Sequence, residues 1–374
     1  TTVTITPTAD LTVNQDYHLS YPSGAFTTIG GDVSFVGTAY TFKGRDYSYQ
    51  LWLWEYNGQG QLAQNNRTEY SSPVQVPGSW GTSIVLGGSE GSAIGTKGDG
   101  TLWSWGYGKY GEIGNNTNGP GADYSSPVQV PGTTWNIAEF GRYESAAIKT
   151  DGTLWAWGGN FQGALGQNNI TQYSSPVQVG SDTTWSGIFL AAKNAYGVKT
   201  DGTLFTWGNN EFGALGHNNV DVFYSSPVQL PGTTWSSSKY KWGGGFRSAT
   251  TIKTDGTLWS WGYNEYGQLG QNNKTQRSSP VQVPGTTWKY VSAGGGQSAK
   301  SVAATKTDGT LWTWGQNSEG CLGHNQSQGT GNKSSPTQVP GTTWDRVDFG
   351  ATLVIATKTD GTLWSWGQEN FGAL

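Results

Sequence analysis

The chain has 374 residues, 12% of them charged and 13% aromatic, with a net charge of −4, 58 Gly, 20 Trp, one Cys and no Met. This composition describes a turn-rich β protein with an aromatic core and excludes a disordered polyelectrolyte, which would lack the aromatics. It also argues against nucleic acid, since no Lys/Arg run offers a phosphate footprint, and against membrane insertion, since no apolar run of about eighteen residues occurs.

In chain order, residues 1–35 carry no repeat. They open with Thr2, Val3, Thr4, Ile5 and Thr6, whose strict alternation predicts a strand. From residue 36 to 374 one unit of about 52 residues recurs seven times. Its anchor, Leu-Trp-x-Trp, begins at Leu51, Leu102, Leu154, Leu258, Leu311 and Leu363, with Leu-Phe-Thr-Trp at Leu204. Each unit reads as four strands. A Gly- and Ala-rich segment, 290–299 in one unit, predicts the innermost strand, where crowding near an axis favours small residues. Thr-Asp-Gly-Thr predicts a tight turn into the anchor strand. Gly-x-Leu-Gly and an Asn-rich loop follow. Ser-Pro-Val-Gln-Val predicts a short strand with Pro at its start, where a missing N–H costs little. Pro-Gly-Thr-Thr-Trp leads into the next unit.

These elements predict an all-β chain: a single seven-bladed β-propeller of four-stranded antiparallel blades over residues 1–374. The seventh unit ends at Leu374, before its Ser-Pro-Val-Gln-Val strand. An unpaired edge invites aggregation. Residues 2–6 of the N-terminal closing segment (1–35) are therefore expected to pair into the blade of Trp364 and Trp366, so that N- and C-terminal segments close the ring. The competing expectation is a fragment cut inside its last Gly-x-Leu-Gly.

The pattern Asp-Gly-x-Leu-Trp-x-Trp-Gly-x-Asn-x-x-Gly-x-Leu-Gly, clearest at residues 255–270, resembles the repeats of the regulator of chromosome condensation family. The resemblance covers roughly residues 36–374 and implies a seven-bladed propeller. Departures accompany it. Eukaryotic members carry Cys-Gly-x-x-His before the Asp-Gly turn, whereas this chain has Phe140, Gly141, Arg142, Tyr143 and Glu144 there. The founding member's basic tail and the Gly-Trp-Arg-His-Thr motif of the plant photoreceptor are both absent from this sequence. The near-verbatim Ser-Ser-Pro-Val-Gln-Val-Pro-Gly-Thr-Thr-Trp linkers look like those of prokaryotic or bacteriophage members.

Trp54, Trp105, Trp157, Trp207, Trp261, Trp314 and Trp366 are locked to the repeat and are expected to pack between blades, each burial stabilising by roughly 1.5–3 kcal/mol. His217 and His324 fall where other units place Gln, and Cys321 where others place Ala or Gln, so neither a metal nor a nucleophile is predicted. The Lys-Thr-Asp-Gly turns pair each Lys with its own Asp and are expected to be solvated, their fields cancelling. No catalytic residue and no cofactor is predicted. Blade-specific text marks the candidate partner-binding residues: Glu90, Tyr143, Glu144, Asn194, Tyr196, Trp242, Phe246, Arg247 and Gln297, a set mixing the Tyr and Arg enriched at binding hot spots.

The leading expectation is a non-enzymatic structural or recognition propeller, part of a virion (tail fibre or decoration) or a cell surface. It would be extracellular and bind other protein subunits or surface glycans, with no nucleic acid and no membrane insertion. The competing one is an intracellular regulator, such as a guanine nucleotide exchange factor for a small GTPase.

Overall fold

A computed structural model describes residues 16–19, 40–43, 49–81, 83–87, 91–245, 247–294, 300–317, 320–326, 331–350 and 353–367. The chain divides into two compact units, Thr1–Tyr49 and Gln50–Leu374. In the first, strands Asp16–Leu19 and Tyr40–Lys43 pair antiparallel. The expected closing strand at residues 2–6 lies outside the described residues.

The second unit holds seven sheets, numbered here as blades in chain order. Five are complete four-stranded antiparallel blades, the second to the sixth. The third shows the plan: Trp135–Phe140 innermost, then Glu144–Lys149, Leu154–Gly158 and Tyr173–Gln178, each paired with its neighbour. The first blade shows two strands, Tyr49–Glu55 and Tyr70–Trp80, and the seventh three, Trp344–Phe349, Leu353–Lys358 and Leu363–Gly367. The fold is an all-β, seven-bladed propeller, as the repeat predicts.

The core sits at the seams between blades. Leu154 and Val179 of the third blade pack with Trp185 and Trp207 of the fourth. In the complete blades the second strand is buried nearly throughout and built of small residues, because indoles cover it. At Gly197 a Cβ would lie 2.5 Å from the Trp185 ring. The second anchor Trp of each blade donates its indole N–H to a loop carbonyl of the blade before it: Trp105 to Gln61 (2.9 Å), Trp157 to Glu112 (3.0 Å), Trp207 to Ala164 (2.9 Å), Trp261 to Ala214 (2.8 Å), Trp314 to Gln268 (2.9 Å) and Trp366 to Cys321 (2.9 Å). One hydrogen bond therefore repeats at six seams, and Trp105, Trp157, Trp207, Trp261 and Trp314 are all fully buried there. Trp366 is half-buried. Trp54 departs from the expectation, being 46% exposed. Residues 368–374, which follow the seventh anchor, lie outside the described residues.

The turn chemistry is also as read. Asp151 Oδ1 accepts from both the N–H (3.0 Å) and the hydroxyl (2.7 Å) of Thr153, and these bonds hold its carboxyl below the usual range. The companion lysines are not simply solvated. Lys149 Nζ lies 4.8 Å from the Trp135 ring and 4.5 Å from Trp155, and Lys253 and Lys306 sit likewise over their own Trp pairs.

Candidate partner-binding face

Two connections per blade meet on one face: the turn between first and second strands, and the loop after the anchor strand. The backbone ties them together. The N–H of Gly159 donates to Tyr143 O (2.8 Å), Asn209 to Lys193 O (3.0 Å), Tyr263 to Arg247 O (2.9 Å) and Gln316 to Lys300 O (2.9 Å). The crossing demands glycine. Gly158 has φ +101, and a Cβ there would lie 2.3 Å from Tyr143 O. The loop is then stapled by a buried Asn. Asn160 Oδ1 accepts from Leu165 N–H (3.0 Å), while its Nδ2 donates to the carbonyls of Asn169 (3.0 Å) and Thr171 (2.9 Å). Asn210 and Asn264 repeat the arrangement.

On this rigid frame stand aromatic and cationic side chains. Where the second blade meets the third, Tyr110, Tyr143 and Phe161 form an edge-to-face triad with centroids 4.6, 5.3 and 5.6 Å apart. The Arg142 guanidinium lies 4.8 Å from the Tyr143 ring. Where the fourth meets the fifth, Phe212 and Tyr263 are 4.9 Å apart, Arg247 lies 4.7 Å from the Phe212 ring, and Arg247 pairs with Glu211 at 2.9 Å. Lys300 Nζ donates to the Tyr266 hydroxyl at 3.0 Å. Arg142, Lys193, Arg247 and Lys300 thus bring one cation from each of four successive blades. Aromatic rings beside cations desolvate well on docking and are the usual carriers of interface energy.

Two buried carboxyls hold this face from beneath. Glu144 accepts from the N–H groups of Arg142 and Tyr143, both at 3.1 Å, and Glu112 from that of Tyr110 at 2.7 Å. Burial pushes Glu112 up to about 8 and raises Glu144 as well.

Of the residues singled out from sequence, Tyr143 and Arg247 belong to this face, while Glu90, Phe246 and Gln297 lie outside the described residues. Glu144, Asn194, Tyr196 and Trp242 are buried. Glu144 secures the Arg142–Tyr143 turn. Tyr196 donates its hydroxyl to Ala214 O (3.0 Å) and Trp242 its indole N–H to Ser236 O (2.6 Å), stacking 4.6 Å from Phe189. Their blade-specific identity reflects packing of the fourth and fifth blades. Sequence reasoning missed Tyr110, Phe161, Phe212, Tyr263 and Tyr266, which fill the open positions of the Gly-x-Asn-x-x-Gly motif. Elsewhere, His217 and His324 share hydrogen bonds with Thr206 and Thr313 (2.8 and 2.9 Å) and buttress loops. No group of three or more metal-ligating side chains occurs among the described residues.

The RCC1-like domain description matches residues 50–374. The chain belongs to the RCC1-like domain family. Among curated proteins it is 25% identical over 298 residues to the ultraviolet-B receptor UVR8 of Arabidopsis thaliana, an alignment covering 78% of this chain and 66% of the receptor. It is 25% identical over 286 residues to the human E3 ubiquitin-protein ligase HERC2, covering 74% of this chain but 5% of the ligase. The chain therefore spans under two thirds of the length of these relatives. Two solved structures share its fold: human WBSCR16, at a TM-score of 0.72 and 18% identity over 87% of this chain and 91% of that one, and yeast RCC1 (Prp20) bound to Kap60, at 0.68 and 18% over 86% and 79%. The relatives are eukaryotic proteins of the intracellular or nuclear RCC1 type, and this overturns the expectation of an extracellular or virion-surface location. Verbatim linkers, from which that location and a bacteriophage type were read, measure how alike the blades of one chain are. They carry no information about compartment.

Proposed function

We propose that this chain is a non-catalytic, regulatory propeller that binds a protein partner through the aromatic and cationic face of its second to sixth blades. The observation that carries the reading is the Tyr110–Tyr143–Phe161 triad with Arg142, echoed by Phe212–Tyr263 with Arg247: hot-spot residue types set on a stapled, preorganised frame. Family likeness supports it, since yeast RCC1 is seen bound to the protein Kap60 in its crystal structure. The expected test result is that Tyr143→Ala, Phe212→Ala and Arg247→Ala combined abolish partner cross-links seen with the intact chain in cell extract. The melting temperature should stay within a few degrees. A cross-link pattern identical to that of the parent chain refutes the assignment.

The finer reading, a guanine nucleotide exchange factor for a small GTPase, rests on fold likeness to yeast RCC1. It requires that the purified chain accelerate release of labelled GDP from such a GTPase, and no acceleration leaves the binding role standing alone.

A further inference from the structure

A separate cavity of about 370 Å³ opens between the innermost strands of the second, third, fifth, sixth and seventh blades. Four charged side chains line it, Lys239, Arg346, Glu139 and Asp348, together with the rings of Tyr240 and Tyr290. Strand register explains their layering. Glu139 stands four residues after Trp135, and Asp348 four after Trp344, so the two carboxyls share one level. Arg346 and Tyr290 each stand two residues after their linker Trp and form the neighbouring level. Lys239 and Tyr240 come from the short 3-10 turn Lys239–Lys241, an insertion the fifth blade carries before its first strand. The Arg346 guanidinium is held 4.6 Å from the Tyr240 ring and 5.5 Å from that of Tyr290.

The site is thus layered along its depth, with Arg346 and Tyr290 at one level, the two carboxyls at the next, and Lys239 within electrostatic reach of both carboxyls. Among the described residues, neither Lys239 nor Arg346 closes an ion pair with Glu139 or Asp348. We propose that this cavity binds a small zwitterion, an amino carboxylate, with its carboxylate at Arg346 and Lys239 and its ammonium at Glu139 and Asp348. A simple anion would leave the two carboxyls without a partner, and a simple cation would meet Arg346. A ligand carrying both charges satisfies both levels, and the exposed side chain of Leu86 lines the cavity beside its methylene spacer.

The titration of the carboxyls agrees. Protein around the cavity raises Glu139 to about 8, against the opposing pull of Lys239, and raises Asp348 despite Arg346 and Lys239. Glu139 is half-buried and Asp348 exposed. Tyr240 and Tyr290 complete the titratable groups facing them. Glu139 is therefore protonated at neutral pH, and an arriving ammonium displaces that proton.

The test is isothermal titration of the full chain with β-alanine and γ-aminobutyrate, with butyrate and butylamine as single-charge controls. At least one amino acid should bind saturably in the millimolar range, about tenfold or more tighter than either control. Its enthalpy should vary with the ionisation heat of the buffer, reporting proton release. Glu139→Gln, isosteric and uncharged, should weaken binding by about tenfold and remove the buffer dependence, with the melting temperature unchanged. Arg346→Ala should weaken it as much without touching the buffer dependence. Absence of saturable heat with both amino acids, equal binding of butyrate, or undiminished binding by Glu139→Gln overturns the site.

Discussion

Two indoles in each complete blade face the same seam with different hydrogen-bonding fates. Trp207 donates to Ala164 O at 2.9 Å, whereas the buried N–H of Trp185, its ring 6.1 Å away, has no partner among the described residues. Both rings are almost fully buried, so replacing either by Phe removes similar apolar area. The difference lies in what is left behind. Trp207→Phe strands a buried carbonyl, while Trp185→Phe deletes a donor that was already unpaired. Trp207→Phe should cost about 1–3 kcal/mol more than Trp185→Phe in urea unfolding. Equal costs would show that the seam bond contributes nothing beyond packing. The fixed spacing of the tryptophans predicts that they pack between blades. It does not separate the two roles, because a repeat records position and leaves the hydrogen-bond partner unstated.

At the scale of the element, the loop after each anchor strand decides what the propeller presents. The strands were legible because Leu-Trp-x-Trp and Ser-Pro-Val-Gln-Val carry their own alternation and turn signals. The candidate face was legible only in part. Tyr143 and Arg247 stand out as blade-specific in the strand turns, but Tyr110, Phe161 and Phe212 occupy motif positions where every blade differs, and such positions read as filler. Tyr196 and Trp242 stand out for the opposite reason: the fifth blade's insertion at Lys239–Lys241 needs a custom core, and uniqueness in sequence then marks burial.

Glu112 extends the argument about the loop into a pH dependence. It fills the position of Gln268, whose Oε1 accepts from Tyr266 N–H at 3.0 Å as Glu112 Oε2 does from Tyr110 N–H at 2.7 Å. Its folded value, about 8, lies above the ordinary carboxylate value near 4.5. The folded state therefore binds the proton more tightly than the unfolded chain. The associated stability is fully present below the unfolded value and is lost as pH rises through 4.5 towards about 8. Glu112→Gln keeps the loop bond and has no proton to lose. Its melting temperature should match the parent at about pH 4 and exceed it at about pH 8, with Glu139, Glu144 and Asp348, all raised as well, leaving a residual slope in both. Parallel melting curves across that range would place the Glu112 titration elsewhere.

Across the whole molecule, the face opposite the loops is stabilised by repetition of one motif. Each Lys of a Lys-Thr-Asp-Gly turn stacks on two rings of its own blade, from Lys149 over Trp155 (4.5 Å) to Lys358 over Trp364 (4.4 Å), with Phe205 replacing an indole beneath Lys199. The turn aspartates offset the lysine charge locally, so this face has little net field, while on the loop face Glu211 pairs with Arg247. Because every clamp uses rings of a single blade, its contribution should be local, at about 0.5–1 kcal/mol for a partly exposed cation over an indole. Lys149→Gln in the third blade and Lys306→Gln in the sixth share no partner, so the double variant should lose the sum of the single losses to within about 0.5 kcal/mol. Lys149→Gln combined with Trp155→Leu should fall short of its sum, since either change alone already breaks the same stack. Both comparisons are read from urea midpoints at constant slope. Strong coupling between the third and sixth blades would mean that strain travels around the propeller. The seams could not then be treated as independent contacts, and a face built on several successive blades would be expected to respond as one body when any of them is occupied.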